Sequence, residues 1–326
     1  MAQQSPLSPA RIEDARTRIV PEFLDSPLLA TQVHGATLFA KDETDNPIRS
    51  FKGRGTDYFL ACHASDKAPL VTASAGNFGQ GLAYAAARHG RQLTVFASLT
   101  ANPVKIAAMR RLGAEVVLHG EDFDAAKAFA REYASSRGLP FVEDGASAAI
   151  AEGAGTIAAE LTDAHADIGA IYVPLGNGAL AAGIGCWFKA ASPATRVIAV
   201  AARGAPCMAL SWKTGKPVAT DSAQTIADGI AVRVPVPSAV TWLADVIDDV
   251  VLVDDHQIIE AMRFAHATWG RLVEPAGAAG LAGILASARS MPGLRVATVL
   301  CGGNLTDEQI GTWLSSSGVN GGQGKP

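Results

Sequence analysis

Leu70-Val71-Thr72-Ala73 runs directly into Ser74-Ala75-Gly76-Asn77-Phe78-Gly79-Gln80 and then into an alanine-rich stretch that ends near His89. Four apolar or β-branched residues bounded by a small-residue turn read as a short strand buried on both faces. The alanine-rich stretch reads as the helix that returns over it. The same strand, turn and helix unit recurs outward. Strands are expected at 93–97, 115–118, 140–142, 170–174, 196–201, 250–253 and 296–300. Helices are expected at 103–112, 122–136, from 156, up to 190, and at 256–269 and 276–288. Upstream, Ser8-Pro9 opens a helix carrying Ile12, Ala15 and Ile19, and a loop through Ser26-Pro27-Leu28 leads to a strand at 37–41. A turn at 42–49 then delivers Ser50-Phe51-Lys52-Gly53-Arg54-Gly55 to a helix at 56–64. Such alternation means an α/β protein with open parallel sheets covered on both faces. Residues 315–326, rich in Ser and Gly, read as a flexible tail.

Composition removes several classes. A net charge of −4 and the lack of a Lys/Arg block interleaved with aromatics argue against nucleic-acid binding. Cys62, Cys186, Cys207 and Cys301 are scattered, a pattern of reduced thiols rather than a disulfide framework or a zinc site. The histidines are scattered too, so no metal site is expected. The first ten residues lack a basic and apolar leader, and the apolar runs are short and broken by glycine. Cytoplasmic residence without a membrane span is the expectation.

In open α/β sheets ligands gather outside the carboxyl ends of the strands. Three glycine-rich loops are expected there: 74–81, 176–183 and 301–304. The first two also precede helices, where free N–H groups and the helix dipole favour anions. Lys52, between an aromatic and a glycine, is expected to project from an apolar wall into a cavity, where desolvation favours the free amine. Phosphate, carboxylate and aldehyde are the groups such a set would take. Each feature also has a plainer reading. Lys52 alone is an ordinary surface charge, Ser74 to Asn77 a helix cap, Cys301 a small buried residue, and Glu274 the residue before a helix with proline in its first turn. Gly176-Asn177-Gly178-Ala179-Leu180-Ala181 fits the dinucleotide pattern G-x-G-x-x-A, but no acid ends the next strand, which leaves only an NADP option through Arg203.

The ordered set S-F-K-G-R-G, S-A-G-N-F-G-Q-G, G-N-G-A-L, V-E-P-A-G-A and C-G-G-N resembles the fold type II pyridoxal-phosphate enzymes, and among them the serine/threonine dehydratase (threonine deaminase) family. The likeness runs from about Asp25 to Asn304, including the segments 102–116 and 225–229. It implies a two-domain, tryptophan synthase β-like fold, with a small mobile domain at 66–148 inserted in a large cofactor-binding domain of 1–65 and 149–314. It implies pyridoxal phosphate as cofactor, an amino acid as substrate and a homodimer as assembly. By resemblance, Lys52 is the Schiff-base lysine and the base at the α-carbon, with Phe51 packed beside the cofactor. Asn77 meets its 3-hydroxyl, and backbone N–H groups of Gly176, Asn177, Gly178, Ala179 and Leu180 meet its phosphate. Cys301 faces the ring nitrogen, and Ser74, Ala75, Gly76 and Asn77 hold the substrate carboxylate, with Ser74 counted among the catalytic residues.

The implied reaction is loss of water from a β-hydroxy amino acid to give a 2-oxo acid and ammonia. Departures from the family pattern bear on this. The phosphate loop reads G-N-G-A-L where many dehydratases have G-G-G-G-L, and Phe78 stands where many have histidine. Ala75 stands where related serine racemases carry a second serine, so a proton donor on the opposite face is missing and racemisation is disfavoured. The acids of those racemases' cation site are also absent from 201–207. A β-replacement transferase of the threonine synthase kind stays open as the alternative.

Overall fold

The computed structural model describes residues 7–33, 35–165, 167–287 and 292–314. Helix α1 (Pro9–Arg18) precedes strands β1 (Leu28–Val33) and β2 (Ala36–Asp42) and helix α2 (Lys52–Cys62). Strict alternation follows in β3 (Leu70–Ala73), α3 (Asn77–Arg88), β4 (Leu93–Ala97), α4 (Pro103–Arg111), β5 (Glu115–Leu118) and α5 (Phe123–Ser136). Then come α6 (Ala148–Ala164), β6 (Ala170–Pro174), α7 (Ala179–Ala191), β7 (Arg196–Ala202), α8 (Cys207–Thr214) and α9 (Pro237–Ala244). The described chain ends with β8 (Asp249–Val253), α10 (Asp255–Trp269), α11 (Pro275–Ser287), β9 (Arg295–Leu300) and α12 (Asp307–Trp313).

Two sheets result. The larger has the order β1-β2-β9-β6-β7-β8 and is parallel except for β1; the smaller is the parallel set β3-β4-β5. Side chains in the large sheet alternate between two cores. Phe39, Ile171, Val173, Val197 and Ala199 belong to one, while Leu38, Ala40, Tyr172, Ile198 and Val200 belong to the other. That period of two is what burial on both faces demands. The chain runs from β6 outward to β7 and β8, whereas β9 lies on the other side of β6. The loops leaving β6 and β9 therefore diverge, and such a switch point leaves a crevice at the carboxyl ends. Among the described residues no helix is long and apolar enough to cross a membrane.

Several elements differ from the sequence expectation. The loop expected around Ser26-Pro27-Leu28 instead leads into β1, an edge strand antiparallel to β2. Its outer residues Ala30, Thr31 and Gln32 are only half-buried or exposed, so it lacks an apolar signal. Helix α2 begins at Lys52 itself, one turn earlier than expected, and α6 begins at Ala148 rather than near Thr156. The strand expected at 140–142 contracts to a single parallel bridge between Phe141 and Val71. Residues 315–326, read as a tail, lie outside the described residues, as does Ala288.

Candidate active site

The carboxyl ends of both sheets open on one cavity of about 510 Å³. Lys52 reaches it from the first turn of α2, and two contacts hold that turn against the end of β9: Phe51 N–H donates to the Cys301 carbonyl at 3.0 Å, and Ser50 bridges Gly302. Of the residues singled out from sequence, Phe51, Lys52, Ser74, Ala75, Gly76, Asn77, Gly176, Asn177, Gly178, Leu180 and Cys301 line this one cavity. Ala179, the first residue of α7, is buried behind it.

The lysine reaches the cavity as expected, but its amine is not left without a charge partner. Its amine makes an ion pair with Asp144 and lies 4.6 Å from the centre of the Phe51 ring. The sequence reading missed Asp144 because an acid in an ordinary loop has no spacing signature. It follows the Phe141 bridge, at the same end of the small sheet as Ser74.

The 74–77 turn is built around the Ser74 hydroxyl, whose oxygen accepts from the Gly76 N–H at 3.2 Å and the Gly79 N–H at 2.9 Å. Gly79 is the third residue of α3, so Ser74 caps that helix from two residues before its N-cap. With its oxygen committed to those donors, the hydroxyl proton is left to donate. At the second loop, Gly178 has φ +100° at the N-cap of α7. A Cβ there would be strained and would also lie 3.0 Å from Leu243 and 3.2 Å from Ala239.

Charged groups missed from sequence complete the lining. Lys105 of α4 pairs with Asp228, and Arg233 pairs with Asp124 of α5, its Nε donating at 2.8 Å. Lys127 pairs with Glu143. Burial disfavours the Lys105 ammonium, yet the Asp228 and Glu274 carboxylates hold its pKa above the ordinary value. Glu274, read from sequence as the residue before a helix, is buried on the cavity wall. Burial, with Asp228 nearby, lifts its carboxyl to about 7 in spite of Lys105, Asn77 and the Asn304 backbone. Burial, reinforced by Glu43 and Glu274, likewise drives the Cys301 thiol well above its usual range, so it stays neutral.

The family model for pyridoxal-phosphate dependent enzymes matches residues 18–302. The chain belongs to that family. Among its curated relatives, a biosynthetic L-threonine dehydratase of Pasteurella multocida (strain Pm70) is 36% identical over 83% of this chain and 54% of its own length. An L-threonine ammonia-lyase of Thermotoga maritima is 32% identical over 90% of this chain and 73% of its own. The chain spans about half the length of the first relatives it matches. Among solved structures, a pyridoxal 5'-phosphate-dependent aspartate racemase superposes with a TM-score of 0.88 at 28% identity, covering 94% of this chain and 99% of that one. The fold is therefore that of the fold type II pyridoxal-phosphate enzymes.

The residues present fit the cofactor of this family. A half-buried amine, a glycine cradle at a helix N-terminus that no side chain could occupy, an amide donor and a neutral thiol surround a single cavity. Lys52, the 176–180 loop, Asn77 and Cys301 are the groups that would hold pyridoxal phosphate.

Proposed function

We propose that this pyridoxal-phosphate enzyme is an ammonia-lyase that removes water from a β-hydroxy amino acid of the L-threonine or L-serine type, yielding a 2-oxo acid and ammonia. The observation that carries the reading is the meeting of the Lys52 amine with the N-termini of α3 and α7 in one cavity. The L-threonine dehydratase and ammonia-lyase names of the relatives support the same choice.

Bound there, pyridoxal phosphate supplies the sink for the electrons of the α-carbon. The N–H groups at the start of α7 hold the phosphate, and Asn77 and Cys301 orient the ring. The 74–77 turn receives the substrate carboxylate, with the Ser74 proton free to donate to it. Lys52 takes the α-proton, and Asp144 stands ready to receive the resulting ammonium. The β-hydroxyl then leaves as water, taking from Lys52 the proton that came from the α-carbon, and the released enamine takes up water to give the oxo acid and ammonia. Cys301, neutral and lining the cavity, would offer the cofactor ring an uncharged partner where an aspartate would offer a charge.

In this reading the segment 66–148 acts as a small domain against 1–65 and 149–314. The Lys105–Asp228 and Arg233–Asp124 pairs join its helices to the larger part at the cavity rim. Closing there would exclude water. The reading also carries a homodimer, resting on the family resemblance, and a cytoplasmic location, in keeping with four free cysteines.

Racemisation draws support from the aspartate racemase fold. Against it, the residue beside Ser74 on the turn is Ala75, which has no proton to give.

The test is 2-oxo acid release by purified protein with pyridoxal phosphate and a panel of L-threonine, L-serine, their D-forms, threo-3-hydroxyaspartate and phenylserine. Turnover of L-threonine or L-serine, abolished by Lys52→Ala, is expected. Solvent deuterium entering the α-position with no oxo acid from any substrate would overturn the lyase reading in favour of β-replacement or racemisation.

A further inference from the structure

Asn77 is held by a chain of hydrogen bonds whose direction follows from its far end. The Ile48 carbonyl can only accept, so the Asn304 side chain must turn its nitrogen toward it, at 2.9 Å. The same nitrogen donates to Asn77 Oδ1 at 2.9 Å, which leaves Asn77 Nδ2 facing Glu274 Oε1 at 2.5 Å. An amide nitrogen carries two N–H groups. With one on Glu274, the other is available to the cavity that Asn77 lines.

The backbone is shaped for this contact. A Cβ on Gly302 would overlap Glu274 Oε1 and lie 3.1 Å from Asn77 Nδ2, so the second position of Cys301-Gly302-Gly303-Asn304 must be glycine for the pair to meet. Glu274 N–H also donates to the Gly302 carbonyl at 2.9 Å. Glutamate, glycine and asparagine from three distant parts of the chain thus form one joint.

We propose that Glu274 is a positioning residue that fixes the Asn77 carboxamide with its N–H, not its oxygen, toward the cavity. Asn77 therefore selects an acceptor oxygen on its ligand, the class to which a ring hydroxylate belongs. This deepens the proposed function and rests on its placing of the cofactor beside Asn77. The groups facing Glu274 are Lys105 from α4, Asp228, Asn77 from α3, and Cys301 and Asn304 beyond β9. Burial brings the Glu274 carboxyl itself to about 7. The hold on Asn77 is therefore strongest where Glu274 is ionised.

The experiment measures pyridoxal phosphate affinity and the absorbance of the bound cofactor from pH 5.5 to 8.5 in the full chain and its variants. Glu274→Ala and Asn77→Ala should each weaken binding by about tenfold, and the double variant by no more than either alone. Glu274→Gln keeps an acceptor oxygen. It should restore affinity to within about threefold of wild type while flattening the pH dependence of the spectrum. Losses that multiply in the double variant, or a Glu274→Gln profile that titrates like wild type, would overturn the role given to Glu274. Should Glu274→Ala fail to fold, the Gln profile alone decides. Wild-type protein that binds no pyridoxal phosphate would instead overturn the proposed function on which the inference rests.

Discussion

Two buried glutamates, one behind α2 and one on the cavity wall, have opposite acidities. Glu160 accepts from Arg54 Nη1 at 2.5 Å and makes an ion pair with Lys41 at 2.7 Å. Burial works to raise its pKa, but the two cations outweigh burial and lower it. Glu274 touches the Asn77 amide instead, while the cation that acts on it, Lys105, is committed to Asp228. There burial wins and the carboxyl rises to about 7. Burial thus leaves a permanent charge in one place and a titrating group in the other. Contact with a cation decides between them. The first arrangement joins β2, α2 and α6 as a scaffold; the second sits where chemistry needs a tunable contact.

The largest effect should come from breaking the scaffold side. Arg54 is fully buried between Glu43 and Glu160. Arg54→Met would leave both carboxylates without their shared partner, at a cost of about 3–5 kcal/mol in urea unfolding. A change in midpoint too small to detect would show that the cluster is not what holds α2 to α6.

Next comes the cavity side, where the sign reverses. Glu274 has its pKa raised from 4.5 to about 7, so it contributes stability below 4.5 that is lost as pH rises through about 7. Glu274→Gln escapes that loss. Relative to wild type it should gain stability between pH 5 and pH 8, by at most about 3 kcal/mol. Unfolding curves at the two pH values check this, and a difference that shrinks with rising pH would contradict it.

The smallest effect is the acid limb of Glu160. Its lowered pKa gives stability present above the ordinary carboxyl range and lost as pH falls through the folded value. Below about pH 4.5 wild-type stability should therefore fall more steeply than that of Glu160→Gln. Parallel acid limbs would contradict it.

Much of this architecture is legible in the chain because its signals are local. Apolar tetrads such as 70–73 and the small-residue turns after them mark buried strands and their ligand-facing ends wherever they occur. The same signals set the 74–81, 176–183 and 301–304 loops at strand ends, while Lys52 joined them in the reading of the site through the family resemblance. What stayed hidden is tertiary. β1 carries polar residues because it is an edge strand, and the start of α6 is masked by Gly153 and Gly155. Those glycines sit where α6 packs closely against α2 and α7: a Cβ on Gly153 would lie 2.7 Å from the Gly55 Cα, and one on Gly155 would lie 2.9 Å from the Gly183 carbonyl. Asp144, Asp228 and Glu274 gain their meaning only from the lysines and amides that folding brings to them from elsewhere in the chain.

Lys52, Lys105 and Lys127 all line the cavity and all meet a carboxylate, so pairing alone does not single out the reactive one. The choice of Lys52 rests on the family resemblance of Ser50-Phe51-Lys52-Gly53, and its place at the start of α2, held against Cys301 and Gly302, agrees with it. The most direct measurement is borohydride reduction of the protein incubated with pyridoxal phosphate, followed by peptide mass analysis. A single adduct on the peptide containing Lys52 is the predicted result. An adduct on Lys105 or Lys127, or none at all, would contradict the account.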